Sequence, residues 1–189
     1  VVNSVKTGDI DAVQGMFYSA ERDRMLDFSS PHLVSYYVGV VQKGNAPPPE
    51  TVSDLAGKQL VVQDGDVVLE FLAKADLMDQ VSIVENQAAV LQAVSDGQYE
   101  CALVPRISAL YLIKENGWTN LDLGSRHFFS GEYGYAVKEG RHALLAQFSE
   151  GLKVLEQNGD YRRIHDKWLG MYQEQKMSVS EFLRNFARS

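Results

Sequence analysis

Apolar runs of strand length alternate with helix-like patterns through the middle of the chain. The runs cover residues 60–62, 81–84, 101–104 and 121–123. Between them, apolar side chains recur at the spacing of one helix face. Residues that favour helix starts and stops stand at the expected places: Asp66, Asn86 and Pro105 as starts, Gly97 and Gly117 as stops. Strands that alternate with helices and are buried on both faces are typical of a parallel sheet, so we predict an α/β unit over 43–125.

The two ends of the chain have a different pattern. The elements predicted there are strands 10–17, 34–42 and 128–138 and helices 141–158 and 160–169. Predicted strands therefore bracket the central unit on both sides. We expect a first lobe formed by residues 1–42 and 126–170, and a second lobe formed by residues 43–125, with two crossings between them.

Residues 171–189 form a separate segment. Ser178 and Glu181 have the spacing of a capping box, which predicts the start of a helix. One face of that helix would be apolar, through Phe182, Leu183 and Phe186. The segment is either a terminal helix that packs on its own domain or a helix that connects the domain to something beyond it.

Composition and charge narrow the possible functions. The 189-residue chain is 45% hydrophobic and 23% charged, which is typical of a globular protein with a core. Its formal net charge of -7, without any run of Lys and Arg, argues against a nucleic-acid partner, since phosphates require clustered positive charge. No apolar stretch approaches the ~18 residues of a membrane span. The single Cys101 excludes a disulfide within the chain.

Residue types for metal binding or catalysis form no known pattern. The four histidines share no ligand spacing with one another or with Cys101, so we expect no metal site and no cofactor. The sequence lacks the motifs of serine hydrolases, phosphate-binding loops and zinc proteases. We therefore expect a protein that is not an enzyme.

Binding chemistry is expected where parallel strands end and helices begin. In the central unit these positions are residues 63–66, 85–86 and 105–106. Backbone N–H groups around Gly65 and Asp66 could hold an anionic group. Alternatively, Asp66 only caps its helix, and its own charge then disfavours an anion. The two roles are compatible.

Arg22 is the second candidate for binding. It stands in the mixed charge run 21–24, directly after a predicted strand. Such a run is ordinarily a solvated face. Arg is nevertheless the side chain best suited to hold a carboxylate, because its planar guanidinium offers two parallel donors. Both interpretations stay open on the residues alone.

Segments spread over residues 3–170 resemble, in order, the family 3 extracellular solute-binding proteins. The first contains Gly-Met-Phe-Tyr-Ser-Ala-Glu-Arg at 15–22 and Leu-Asp-Phe-Ser-Ser-Pro at 26–31. The others are Leu-Ala-Gly-Lys at 55–58, Val-Gln-Asp-Gly at 62–65, Gly-Gln-Tyr-Glu-Cys-Ala-Leu at 97–103, Gly-Tyr-Ala-Val at 134–137 and Asn-Gly-Asp-Tyr at 158–161. The resemblance implies an α/β, periplasmic binding protein-like fold in which two hinge strands join two lobes that close on a ligand. The family's opening strand–helix–strand portion has no counterpart here, so the first lobe is expected to be incomplete.

The resemblance also implies a ligand pocket between the lobes. The positions carried over are Arg22, Gly15, Phe17 and Ser19 in the first lobe and Gln63, Asp66, Val67 and Arg106 in the second. Arg22 matches the residue that holds the ligand carboxylate. Arg106 is expected to point toward the cleft and to favour a second acidic group.

Two positions depart from the family's pattern. Phe17 stands where transport proteins usually offer a hydroxyl, and Pro105 stands where amino-acid binders usually place the Asp that pairs with the ligand ammonium. Without that carboxylate a buried ammonium is poorly compensated. We therefore expect a small anionic solute, and weak binding of common α-amino acids unless Asp66 or Glu132 takes over.

The amino-acid sequences of these segments are most similar to those of family 3 domains that serve as sensors of membrane-bound histidine kinases or cyclic-dinucleotide enzymes. We expect a bacterial periplasmic sensor domain that closes on a carboxylate-bearing solute, signals to a membrane-linked output module and forms a homodimer. Segment 171–189 would then lead toward the membrane. The alternative is the receptor of an ABC importer for amino acids or organic acids. A third possible function is that of an enzyme with this fold, but no motif in the sequence favours it.

Overall fold

The computed structural model describes residues 1–172, and within this range every strand belongs to one mixed sheet. The strands are β1 (Ala12–Phe17), β2 (Leu26–Phe28), β3 (Leu33–Gln42), β4 (Leu60–Gln63), β5 (Val81–Val84), β6 (Cys101–Pro105), β7 (Leu121–Leu123) and β8 (Phe129–Lys138). The helices are α1 (Val2–Thr7), α2 (Val68–Lys74), α3 (Gln87–Ser95), α4 (Arg106–Asn116), α5 (His142–Gln157) and α6 (Asp160–Leu169), with short 3-10 turns between elements. The predicted elements agree closely with these bounds, whereas the short β2 was not predicted.

The sheet combines a parallel part with an antiparallel part. Its strand order is β1-β8-β3-β6-β4-β5, with β2 also paired to β8 and β7 to β3. Strands β5, β4 and β6 are parallel, as predicted for the central unit. The prediction was wrong for β7, which pairs antiparallel with the end of β3 because β8 leaves that edge of β3 unpaired beyond Tyr37. The prediction that each strand of the central unit is buried on both faces was also wrong for β5, which is an outer strand and whose Ile83 is half exposed.

Two long strands connect the two parts of the molecule. β3 and β8 each have ten residues, and they pair antiparallel from Leu33 with Tyr133 to Tyr37 with Phe129. β3 then continues alongside β6, and β8 continues alongside β1 and β2. This is the arrangement of two hinge strands that the resemblance implies. The lobe boundaries at 1–42, 43–125 and 126–170 stay a prediction.

The starts of the central helices agree with the sequence analysis. The Asn86 side chain accepts the Ala89 N–H at 2.9 Å at the start of α3, and Pro105 directly precedes α4. Gly117 ends α4 in the left-handed conformation, with φ of 66°, which a residue with a side chain rarely adopts.

The outer helices contribute little to the core. Neither α5 nor α6 contains a buried residue. Tyr135 of β8 stacks on Phe148 of α5 at 4.5 Å between ring centroids, beside an apolar groove of about 600 Å³. Trp168 of α6 remains 65% exposed. The predicted helix with Phe182, Leu183 and Phe186 lies outside the described residues.

Phe17 of β1 packs tightly against Gly131 of β8. Phe17 of β1 is buried in a core cluster with Tyr37 of β3 and Leu72 of α2. Its ring lies directly against Gly131 of β8, where an added Cβ would be 2.2 Å from the ring carbon Cε1. Even the smallest side chain at position 131 therefore requires the ring or the strand to move.

We predict that Gly131→Ala lowers the free energy of unfolding by about 1–3 kcal/mol, because it overpacks this contact. The matched control is Gly151→Ala in α5, where an added Cβ meets nothing within 4 Å. Ala is a better helix former than Gly, so the control should gain up to about 1 kcal/mol. Urea denaturation measures both, and an equal change in the two variants would contradict the packing account.

Candidate ligand-binding site

Arg22 lies between the end of β1 and the start of α2. It begins a short 3-10 turn that follows β1. Its Nη1 donates to the carbonyl oxygen of Phe17 at 3.0 Å, and its Nη2 donates to the carbonyl oxygen of Gly65 at 2.9 Å. Only 11% of the side chain is exposed. The interpretation of Arg22 as part of a solvated face is therefore wrong, because its guanidinium is largely removed from water.

Ser19 and Glu70 complete the surroundings of this guanidinium. The Ser19 hydroxyl donates to Oε1 of Glu70 at 2.9 Å and accepts the Arg22 backbone N–H at 3.2 Å. The Nε of Arg22 lies 3.8 Å from the same Glu70 oxygen. Glu70 belongs to α2, so these contacts join the segment after β1 to the helix opposite.

Asp66 connects the start of α2 to the hinge strand β3. Its Oδ1 accepts the backbone N–H of Val68 at 3.2 Å and also accepts the hydroxyl of Tyr37. The carboxylate therefore stabilises the start of α2 by satisfying an N–H group that has no partner inside the helix, although Val67 holds the N-cap position itself. The bond from Tyr37 additionally fixes the position of α2 relative to β3.

Five aromatic rings form a floor beneath these polar groups. The Phe17 ring lies 3.7 Å from the Tyr133 ring and 5.3 Å from the Tyr37 ring, measured between centroids. Phe129 stacks on Tyr37 at 4.4 Å, and Phe71 of α2 stacks on Phe129 at 4.8 Å. This aromatic floor excludes water from below, which strengthens the hydrogen bonds and charge interactions above it.

The two tyrosines of the floor present protonated hydroxyls to the site. Burial raises the pKa of Tyr37 and of Tyr133 above the ordinary value of 10.0, and the charge of Asp66 raises both further. The charge of Arg22 acts in the opposite direction on both. The charges of Asp66 and Arg22 therefore act on both hydroxyls, and both hydroxyls are hydrogen-bond donors at neutral pH.

The structure brings most of the predicted residues together. Arg22, Ser19, Phe17 and Asp66 make the contacts described above, and Val67 is buried in the same core cluster as Phe17. Phe17 contributes a ring to the floor instead of a polar group to the site, because it fills the space over Gly131.

The remaining predicted residues lie around this group. An added Cβ at Gly15 would be 3.5 Å from the Tyr133 ring, so Gly15 borders the aromatic floor. Gln63 ends β4, and its carbonyl oxygen accepts the Asp66 N–H at 3.4 Å, which shapes the loop. The Nη1 of Arg106 donates to the carbonyl oxygen of Gly124 at 3.3 Å. The expected role of Arg106 in the cleft stays a prediction.

Sequence reasoning missed Glu70, Tyr37 and Tyr133. Glu70 lies in the first turn of α2, four residues after Asp66, so its closeness to the predicted helix start was visible in the sequence. The tyrosines lie within predicted strands, where an aromatic residue is usually core. Their role depends on which strand pairs with which, and the local pattern does not contain that information.

Metal-ion chemistry and membrane insertion have no candidates among the described residues. Within residues 1–172, no three His, Cys, Asp or Glu side chains are grouped so that they could hold a metal ion. In the same range, no helix combines the length and apolar character needed to span a membrane.

Comparisons with known proteins establish the family. Residues 1–171 match the bacterial extracellular solute-binding proteins, family 3, and the chain belongs to this family. It is 29% identical over 152 residues to the L-cystine-binding protein TcyJ of Escherichia coli (strain K12), which covers 80% of this chain and 57% of that protein. The chain thus spans little more than half of this relative's length.

A solved structure and a second relative extend the comparison. A histidine kinase sensor domain with similarity to periplasmic binding proteins superposes with a TM-score of 0.86 at 33% identity, over 89% of this chain and 74% of that chain. The membrane-bound lytic murein transglycosylase F of Pseudomonas fluorescens is 27% identical over 175 residues, or 86% of this chain and 34% of that protein.

These findings confirm the resemblance and the periplasmic binding protein-like α/β fold. The family consists of extracellular proteins that bind solutes, and amino-acid-binding proteins are among the relatives. The transglycosylase contains a similar domain as one part of its length, so the domain also occurs in a protein named for an enzymatic activity.

We predict that Tyr37→Phe destabilises the protein by about 1.5–3 kcal/mol, because Asp66 loses a buried charge-assisted hydrogen bond. Tyr36→Phe is the matched control, since the neighbouring Tyr36 is 46% exposed. Folding holds the Tyr37 pKa above the ordinary 10.0, so the wild type loses this contribution as the pH rises through 10 and the unfolded phenol ionises. Denaturation at several pH values should show the two proteins converging above that pH, and a constant difference would contradict the account.

Proposed function

We propose that this domain is an extracytoplasmic sensor that binds a small carboxylate-bearing solute and signals to a membrane-linked output module. The observation that carries the proposal is Arg22, a nearly desolvated guanidinium that reaches from the end of β1 to Gly65 beside α2. A guanidinium in such a setting holds a carboxylate through two parallel bonds. The Tyr133 side chain, which is only partly buried, is available to the rest of a small solute.

The proposed signal is a change in how the two halves of the domain, the part that contains β1 and the part that contains α2, are held together. The bonds from Arg22 to Gly65 and from Ser19 to Glu70 both run between the segment after β1 and the region of α2. A solute that replaces some of these bonds favours one arrangement of the halves over another. A sensor requires such a difference in affinity between two arrangements, since equal affinity shifts nothing.

Similarity to a histidine kinase sensor domain supports the sensor over other functions. Similarity to the L-cystine-binding protein TcyJ supports the second candidate, a receptor that delivers its solute to an ABC importer. The two differ in attachment, because a sensor must be tethered in the periplasmic space to reach its output module. Fractionation of bacteria that express the full protein tests this: a sensor remains with the membranes, whereas release by osmotic shock would favour the receptor.

We predict that Arg22→Ala weakens carboxylate binding by at least about 2 kcal/mol, or roughly thirtyfold, because a desolvated charge-assisted contact is lost. Calorimetric titration with glutarate and with L-glutamate measures the change. Arg24→Ala is the control, because Arg24 belongs to the same turn and is exposed. Equal affinities of wild type and Arg22→Ala would show that the carboxylate binds elsewhere.

We also propose that the domain self-associates through apolar side chains near its carboxyl end. Ile164, Trp168 and Met171 are 44%, 65% and 69% exposed, respectively, and together they form an apolar surface on α6 and the turn after it. Such exposure of large apolar residues favours a partner. Light scattering at micromolar concentration should report a dimer that Trp168→Glu dissociates, and a monomeric wild type would exclude the proposal.

A further inference from the structure

The guanidinium of Arg22, which would receive a ligand carboxylate, is already next to a carboxylate of the protein. Oε1 of Glu70 lies 3.8 Å from the Nε of Arg22 and accepts the Ser19 hydroxyl at 2.9 Å. The Glu70 side chain is only 21% exposed. Because Ser19 also accepts the Arg22 backbone N–H, its hydroxyl holds Glu70 and the Arg22 turn in a fixed relation.

The charges at this site do not balance. Arg22 carries one positive charge, whereas Glu70 and Asp66 carry two carboxylates. The Tyr37 hydroxyl that Asp66 accepts is neutral. A formal excess of one negative charge therefore remains beside a largely desolvated guanidinium, before any ligand is present.

Pro105 leaves the adjacent strand end without a carboxylate. It lies directly opposite Tyr37 in the pairing of β3 with β6, and it is buried. A positively charged group of a ligand finds no carboxylate there. Glu70 is the carboxylate that lies beside Arg22, in the first turn of α2.

We propose that Glu70 sets the charge selectivity of this site: it pairs with a cationic group of the ligand while Arg22 holds the ligand's carboxylate. The inference rests on the proposed function, in that Arg22 is the carboxylate-binding residue. It assigns the ligand to small zwitterions, in which an amine or a comparable cationic group stands close to a carboxylate. The weak binding of amino acids expected from Pro105 alone then does not apply.

The physical reason is the cost of displacing Glu70. A simple monoanion must separate Glu70 from Arg22, and it leaves a partly buried carboxylate beside Asp66 without a counter-charge. A zwitterion makes the same exchange but brings a cation for Glu70. Selectivity arises from this difference, since the site penalises the ligand that lacks the amine.

The test compares ligands that differ only in the amine. The pairs are L-glutamine with glutaramate, L-glutamate with glutarate, and L-alanine with propionate, each titrated into wild type by calorimetry. We expect at least one amino acid to bind about tenfold or more tightly than its partner without the amine. Glu70→Gln keeps an oxygen that can accept the Ser19 hydroxyl and removes the charge, so it should weaken binding of the amino acid and strengthen binding of its partner without the amine.

Two variants serve as controls. Glu115→Gln makes the same change at an exposed position of α4, and it should leave the preference unchanged. Glu70→Asp keeps the charge at shorter reach, so the preference should shrink and keep its sign. This variant carries the test if Glu70→Gln does not fold, and an unchanged preference in Glu70→Asp would then overturn the proposal.

The outcomes separate the two proposals. If carboxylates bind through Arg22 but Glu70→Gln leaves the amine preference unchanged, the role of Glu70 is wrong and the proposed function stands. If the probes without an amine bind wild type more tightly than their amino-acid partners, the role of Glu70 is again wrong. If no probe binds, or if binding does not depend on Arg22, both proposals fail.

Discussion

The antiparallel pairing of β3 with β8 is the constraint on which the candidate site depends. These strands carry Tyr37, Phe129 and Tyr133 on one shared face, because residues directly opposite each other in a sheet point to the same side. That face is the aromatic floor, and Phe17 can lie over it only because position 131 has no side chain. The polar groups from β1 and from α2 meet above this surface. Three of the five rings of the aromatic floor therefore belong to the hinge strands themselves.

Local sequence signals predicted the elements well, because each signal acts over a few residues. The cap at Asn86, the stop at Gly117 and the alternation of strands with helices in the central unit are of this kind. The pairing between segments that are distant in the sequence was harder to predict from these local signals. The three-residue β7 has the same apolar pattern as a parallel strand, and its antiparallel place follows from the edge of β3 that β8 leaves free. The resemblance to a family supplied the long-range arrangement that the pattern lacked.

In the candidate site, too, local features could be predicted from the sequence, whereas contacts between distant segments could not. Arg22 was identified from the resemblance, and its desolvation could not be read from the mixed charge run around it. Asp66 was predicted as a cap, whereas its contact with Tyr37 requires the three-dimensional structure. Glu70 was missed although its spacing from Asp66 was visible. Phe17, the departure from the family's hydroxyl, has a physical explanation in the glycine beneath it.

The central claim is that Arg22 exchanges its bonds within the protein for bonds to a solute carboxylate. NMR of protein with isotope-labelled arginine measures this directly, since the Nε and Nη signals of Arg22 can be assigned with the Arg22→Ala variant and followed during titration with L-glutamate. The account predicts that these signals shift and saturate together with the calorimetric binding curve. Arg22 signals that stay unchanged while L-glutamate binds would contradict it.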